Sequence, residues 1–134
     1  MELSATRIIT DDVDRLVAFY EAVTGAPVTR LHELFAELRT SAGTLAIASS
    51  RTVAAMGPDV AEAGANRSLL LDFRVDDVDD AYERLRPVLT ELVREPSDMP
   101  WGNRSLLFRD PDGNLVNLFA PLTTAADVGF VAGS

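Results

Sequence analysis

Asp11-Asp12-Val13-Asp14 returns as Asp76-Asp77-Val78-Asp79, 65 residues further on (76 − 11), and each copy opens a segment with helical spacing. After the first copy, Val13, Leu16, Val17, Tyr20 and Val23 fall on one stripe. Asp12 is placed to cap the start of that helix, and Gly25 to take the left-handed position at its end. After the second, Val78, Ala81, Tyr82, Leu85 and Leu89 follow the same spacing, with Asp77 as the cap and Pro87 as a kink or stop. Two amphipathic helices of this kind need a sheet to cover.

Strand patterns surround both helices. Leu69, Leu71, Phe73 and Val75 alternate with Leu70, Asp72 and Arg74, which predicts an apolar face toward the second helix and a mixed face away from it. By the same logic Thr6 and Ile8 should face the first helix, and Ala5, Arg7 and Ile9 the opposite side. Three further strands are expected after each helix, at about 28–32, 34–39 and 44–49 and again at about 92–96, 103–109 and 114–120. Each half therefore reads βαβββ. The expected fold class is α+β: one domain built of tandem modules at residues 2–49 and 68–121. An Ala/Gly-rich linker with Gly57-Pro58 occupies 50–67, and a small, weakly apolar tail follows at 122–134.

Composition bounds what such a chain can do. With 134 residues, 47% hydrophobic and 25% charged, there is enough apolar material for one folded core. Twelve basic against 21 acidic residues give a net charge of −9, which repels nucleic acid at long range and is compatible with steering a cationic ligand. The absence of Cys excludes disulfides, thiolate metal sites and a thiol nucleophile, and a single His excludes a multi-histidine metal site within one chain. No apolar run approaches the about 18 residues of a membrane span, and Met1-Glu2-Leu3-Ser4 does not begin a signal peptide, so a soluble cytoplasmic protein is the expectation. Phosphate-binding loops of the GxGxxG or GxxxxGK type are missing, as is a GxSxG elbow.

Near the end of the second half stand Trp101-Gly102-Asn103-Arg104 and then Phe108-Arg109-Asp110-Pro111-Asp112-Gly113-Asn114-Leu115-Val116-Asn117-Leu118-Phe119. Asp-Pro-Asp-Gly is a hairpin signal: Pro suits the second turn position, Asp bonds nearby backbone, and Gly accepts positive φ. Together with the doubled βαβββ pattern and the Phe19-Tyr20 pair in the first helix, this segment resembles the glyoxalase, bleomycin-resistance and extradiol-dioxygenase superfamily, the vicinal oxygen chelate fold. The resemblance runs from residue 2 to about 121. It implies that each module forms a curved mixed sheet, that the two pair around a cupped ligand cavity, and that a homodimer completes it.

The resemblance also implies where a metal would be held. In metal-dependent members one ligand comes from the first strand of each module and one from its last. Those positions fall here on Ala5 and Leu70, seven before the helix-start aspartates, and on Ile47 and Asn117, four after Gly43 and Gly113. Three hydrocarbons and a carboxamide do not make a first shell for a divalent metal. The resemblance thus points away from glyoxalase I, ring-cleaving dioxygenases and fosfomycin-inactivating transferases. It points toward metal-free relatives that sequester bleomycin, with no cofactor and no catalytic residue.

Several residues are candidates to line such a cup. Strand alternation proposes Arg7, Leu45, Ile47, Asp72, Arg74, Leu115, Asn117 and Phe119 as one cavity face, with Arg7, Asp72 and Arg74 on inner strands where a charge needs a protein or ligand partner. Glu37, between Phe35 and Arg39, is a candidate for a positive ligand group. Trp101 is placed to stack on an aromatic ligand, and Arg104 either to meet a carboxylate or to tie down the Asp-Pro-Asp-Gly turn. His32 is the one side chain suited to proton transfer near neutral pH, though a wall or surface role is the stronger expectation. The leading expectation is a protein that binds a small organic molecule, cationic or aromatic, and confers antibiotic tolerance by sequestration. Two alternatives stand beside it. One is a glyoxalase-type lyase, isomerase or dioxygenase-like enzyme using ligands such as His32, Glu37 or Asp72, and the other is a catalytically silent regulatory domain.

Overall fold

A computed structural model describes residues 1–122 of the chain, so nearly all of the tail expected at 122–134 lies outside the described residues. The chain divides into two compact units, Met1–Asn66 with the turn Pro111–Gly113, and Arg67–Asp110 with the chain from Asn114 onward. Unit 1 contains β1 (Thr6–Thr10), α1 (Val13–Thr24), β2 (Thr29–His32), β3 (Phe35–Arg39) and β4 (Thr44–Ser49), followed by a 3-10 helix over Ser50–Ala55. Unit 2 repeats the series with β5 (Leu70–Arg74), α2 (Val78–Leu85), β6 (Glu91–Asp98), β7 (Asn103–Arg109) and β8 (Leu115–Pro121). The sheets have matching strand orders, β1-β4-β3-β2 and β5-β8-β7-β6. The first and last strands of each unit pair in parallel, and the other neighbours pair antiparallel. The doubled βαβββ reading is therefore the fold.

The repeated aspartates work as helix caps. The Asp12 carboxylate accepts from Arg15 N at 3.1 Å, and that of Asp77 from Asp80 N at 3.0 Å, each satisfying a donor that the helix leaves open. Gly25 ends α1 in the left-handed conformation with φ 69°, its N–H donating to Glu21 O at 2.8 Å. α2 stops at Leu85, two residues before Pro87, so Leu89 lies beyond the helix although its N–H still reaches Leu85 O at 3.0 Å.

One face of each sheet lies beneath its helix. In unit 1 Ile8, Ala36, Leu38, Leu45 and Ile47 are buried with Leu16, Phe19, Tyr20 and Val23 of α1, where Phe19 and Tyr20 meet edge to face at 5.3 Å. In unit 2 Leu106, Phe108, Val116 and Leu118 are buried with Val78, Ala81 and Leu85 of α2. Complete burial of a side chain such as Leu16 or Phe108 contributes about 1.5–3 kcal/mol, so these layers fix which sheet face points inward.

The same layers correct the sequence reading at two positions. Leu45 and Ile47 belong to the helix-covered face, since they are cross-strand partners of Leu38 and Ala36, and Ile47 also pairs with Ile8. The residues of β4 that share a face with Arg7 are Ala46 and Ala48. The whole run Leu45-Ala46-Ile47-Ala48 is apolar, so polarity does not mark its faces; the large side chains go to the core and the small ones to the other side. Within each sheet, moreover, β1 and β5 are edge strands and not inner ones.

Candidate functional site

The sheet face opposite each helix carries most of the candidate residues. In unit 2 the register sets Asp72 of β5 beside Asn117 of β8, which is beside Leu107 of β7. On either side of that row lie Leu70 with Leu115, and Arg74 with Phe119. Asn117 Nδ2 donates to Asp72 Oδ1 at 2.9 Å, so two sequence candidates are brought together by direct bonding. Asn117 Oδ1, by contrast, is buried with no hydrogen-bond partner among the described residues. The Arg74 side chain is exposed and makes no hydrogen bond or ion pair among them.

In unit 1 the corresponding row is Arg7, Ala46 and Glu37, with Ile9, Ala48 and Phe35 in the next. The Arg7 guanidinium carbon lies 5.3 Å from the centre of the Phe35 ring, a cation–π distance. Ala46 and Ala48 are 2% and 0% exposed and form a small-residue floor beneath this pair. No change of polarity marks the two alanines in sequence; the large-small alternation of Leu45-Ala46-Ile47-Ala48 is the signal that does. Glu37 is already engaged, its Oε1 accepting from Arg39 Nε and Nη2 at 2.9 and 2.6 Å. That pairing neutralises the carboxylate expected to meet a positive ligand group.

The remaining candidates stand apart. His32 ends edge strand β2, and its Nδ1 accepts from Leu34 N at 3.1 Å, which orients the ring within the turn to β3. Trp101 is 43% exposed in the connection between β6 and β7, where Gly102 N donates to Met99 O at 3.0 Å. Arg104 does not tie down the Asp-Pro-Asp-Gly turn and does not offer a free guanidinium to a carboxylate ligand. Its Nε and Nη2 donate to Asp79 at 2.8 and 2.9 Å and its Nη1 to Asp98 at 2.8 Å, bracing β7 to α2 and β6. The bonds to Arg104 hold the Asp79 carboxyl below its ordinary range and raise the guanidinium further. The turn is tied instead by Arg15 of α1, whose Nη2 lies 3.0 Å from Asp112 Oδ1. Buried Asp110 also accepts from Asn114 N and Nδ2 at 2.9 and 2.8 Å.

A family model for the Glyoxalase/Bleomycin resistance protein/Dioxygenase superfamily matches residues 2–118. The chain belongs to this superfamily. YraH, an uncharacterized protein of Bacillus subtilis strain 168, is 29% identical over 128 residues, covering 91% of this chain and all of YraH. A glyoxalase/bleomycin resistance protein/dioxygenase from Nocardioides superposes with a TM-score of 0.76 at 25% identity, over 93% of this chain and 86% of that one. A family enzyme from Burkholderia phytofirmans PsJN gives 0.78 at 22% identity, over 89% of this chain and 98% of its own, a likeness of fold.

The strand registers place the superfamily metal positions on the sheets. Asn117 pairs with Asp72, and the residue in the same place in unit 1, paired with Arg7, is Ala46 and not Ile47. The set becomes Ala5, Ala46, Leu70 and Asn117, which offers a single amide oxygen. Among the described residues no three His, Cys, Asp or Glu side chains form a group that could hold a metal ion. In unit 2 Asp72 adds one carboxylate beside Asn117, giving two oxygen donors where Zn, Ni or Fe would need a fuller shell. The residues do not fit the superfamily's metal.

Proposed function

We propose that this superfamily member binds a small organic molecule on its sheet faces opposite the helices without a metal, and that binding, with no chemistry, is its activity. One observation carries the reading: Ala5, Ala46 and Leu70 are hydrocarbon at the positions where metal-dependent relatives place donors, and Asn117 is a neutral amide committed to Asp72. The surroundings are those of a ligand face, apolar with a few polar groups: Leu70, Leu107, Leu115 and Phe119 around Asp72 and Asn117 in unit 2, and Phe35 with Arg7 above alanines in unit 1. Antibiotic sequestration and a homodimeric state are further parts of the proposal, and they rest on the resemblance to bleomycin-binding relatives.

Thermal unfolding with and without chelator tests the reading. Chelation, or added Mn, Ni, Zn or Fe salts, should leave the Tm unchanged. A cationic or aromatic organic ligand at one hundred times its Kd should add about 2.7 kcal/mol of stability. Stoichiometric metal that is retained through purification and supports turnover of a dicarbonyl or catechol substrate would overturn it.

A further inference from the structure

The Asn117 amide is fixed in one orientation. Its Nδ2 donates to Asp72 Oδ1 at 2.9 Å, and because a carboxylate only accepts, the amide cannot turn over without setting two oxygens against each other. Oδ1 is therefore held as an acceptor, and it is the buried oxygen that finds no donor among the described residues. Beside it stands Asp72, exposed, with no ion pair among the described residues. Two residues along β5 and on the same face, about 6.6 Å on at the rise of a strand, stands Arg74, likewise exposed and without an ion pair among them. Leu70, Leu115, Leu107 and Phe119 surround these groups.

We propose that this face of unit 2 takes an amphiphilic zwitterion of the apolar amino-acid class, its ammonium against Asp72 and the Asn117 carbonyl and its carboxylate against Arg74. The inference deepens the metal-free binding reading and rests on it. An ammonium brings three N–H donors and one positive charge, which matches one carboxylate and one unfilled amide oxygen better than a metal that demands several strong donors. A plain cation would be repelled by Arg74 and a plain anion by Asp72, so the two charges together select a ligand carrying both. The apolar side chains around them suit a hydrocarbon or aromatic body. Since Asn117 Oδ1 is covered in the free chain, its engagement requires a neighbouring side chain to move aside on binding while the Asn117 amide keeps its bond to Asp72.

The test is calorimetric titration of the full chain with leucine, methionine, phenylalanine and tryptophan, each against its N-acetyl and its carboxamide form. At least one free amino acid should bind ten-fold or more tightly than both blocked forms. Asp72→Asn should abolish the preference for the free ammonium and Arg74→Gln the preference for the carboxylate. Both residues are exposed, so either variant should fold as the parent does, and circular dichroism checks that. Equal affinity for free and blocked forms, a preference that survives both substitutions, or no binding by any of the four overturns the proposal. If a cationic or aromatic organic ligand still raises the Tm in that case, the metal-free binding reading stands and only the zwitterion is lost. If none does, both fall together.

Discussion

Arg104 on β7 grips Asp79 in the first turn of α2 through two parallel bonds, Nε to Oδ2 at 2.8 Å and Nη2 to Oδ1 at 2.9 Å. The fork geometry of the guanidinium suits this two-point contact, and a lysine there would lose one of the two bonds. Asp79 is held below its ordinary value of 3.8, first by that hydrogen bond, so its contribution to stability is complete above about pH 4. It fades as the pH falls through the lowered folded value. Arg104→Gln should therefore lower the Tm at pH 7 by a few degrees, a modest amount for an exposed pair. The gap between variant and parent should narrow as the pH is taken below 4. A gap that is the same at pH 7 and pH 2.5 would show that the brace works through packing and not charge.

Gly113 and Gly43 were matched to each other in sequence as the turns before the last strands, yet only Gly113 has positive φ, at 87°. A Cβ at either position would meet nothing within 4 Å, so backbone conformation alone separates them. Gly113→Ala should cost about 1–2 kcal/mol. Gly43→Ala should be neutral, or stabilising by about 0.4–1 kcal/mol through the unfolded chain. Urea unfolding of the two variants measures both, and equal costs would contradict the turn geometry.

What was legible in the sequence is what local chemistry dictates. Asp12, Asp77 and Gly25 marked helix ends because a carboxylate that caps N–H groups and a glycine at positive φ act within one turn of chain. Asp110-Pro111-Asp112-Gly113 marked a hairpin for the same reason. The alternation of Leu71 and Phe73 with Asp72 and Arg74 gave the faces of β5, because polarity changes at every residue there. In Leu45-Ala46-Ile47-Ala48 it does not, and the face was misread by one position. Contacts across long separations left no trace in sequence either. Arg104 meets Asp79 25 positions away and Arg15 meets Asp112 97 positions away, and an arginine's reach admits many carboxylates in an acidic chain.

The corrected face of β4 separates stability from binding. Ile47 is fully buried beneath α1, so Ile47→Ala should cost about 2–5 kcal/mol and leave ligand affinity, measured where the variant is folded, within two-fold of the parent. Ala46 lies on the Arg7 and Phe35 side, and Ala46→Leu places three extra carbons on the floor between them, with an overpacking cost of about 1–3 kcal/mol. Its larger effect should be on binding of any ligand that uses this face, read as a loss of ligand-induced Tm shift. The opposite pattern would return Ile47 to the ligand face.

Asn117 allows the binding role and the structural role to be set against each other. Leaving a buried acceptor unfilled costs about 1–3 kcal/mol, and replacing it with a side chain that has nothing to satisfy removes that cost. Asn117→Leu keeps the volume close to the original and frees exposed Asp72 to be hydrated, so the variant should match the parent in urea unfolding or exceed it by about 1 kcal/mol. Asp72→Ala acts in the other direction: it strands the Asn117 Nδ2 donor and should lower stability by about 1 kcal/mol. A polar residue that is more stable when replaced by leucine is held there for something other than folding, and the same Asn117→Leu protein should lose affinity for organic ligands of unit 2 by ten-fold or more. If Asn117→Leu instead unfolds at markedly lower urea than the parent, the amide oxygen is satisfied in solution, by an internal water, and its claim on a ligand donor fails.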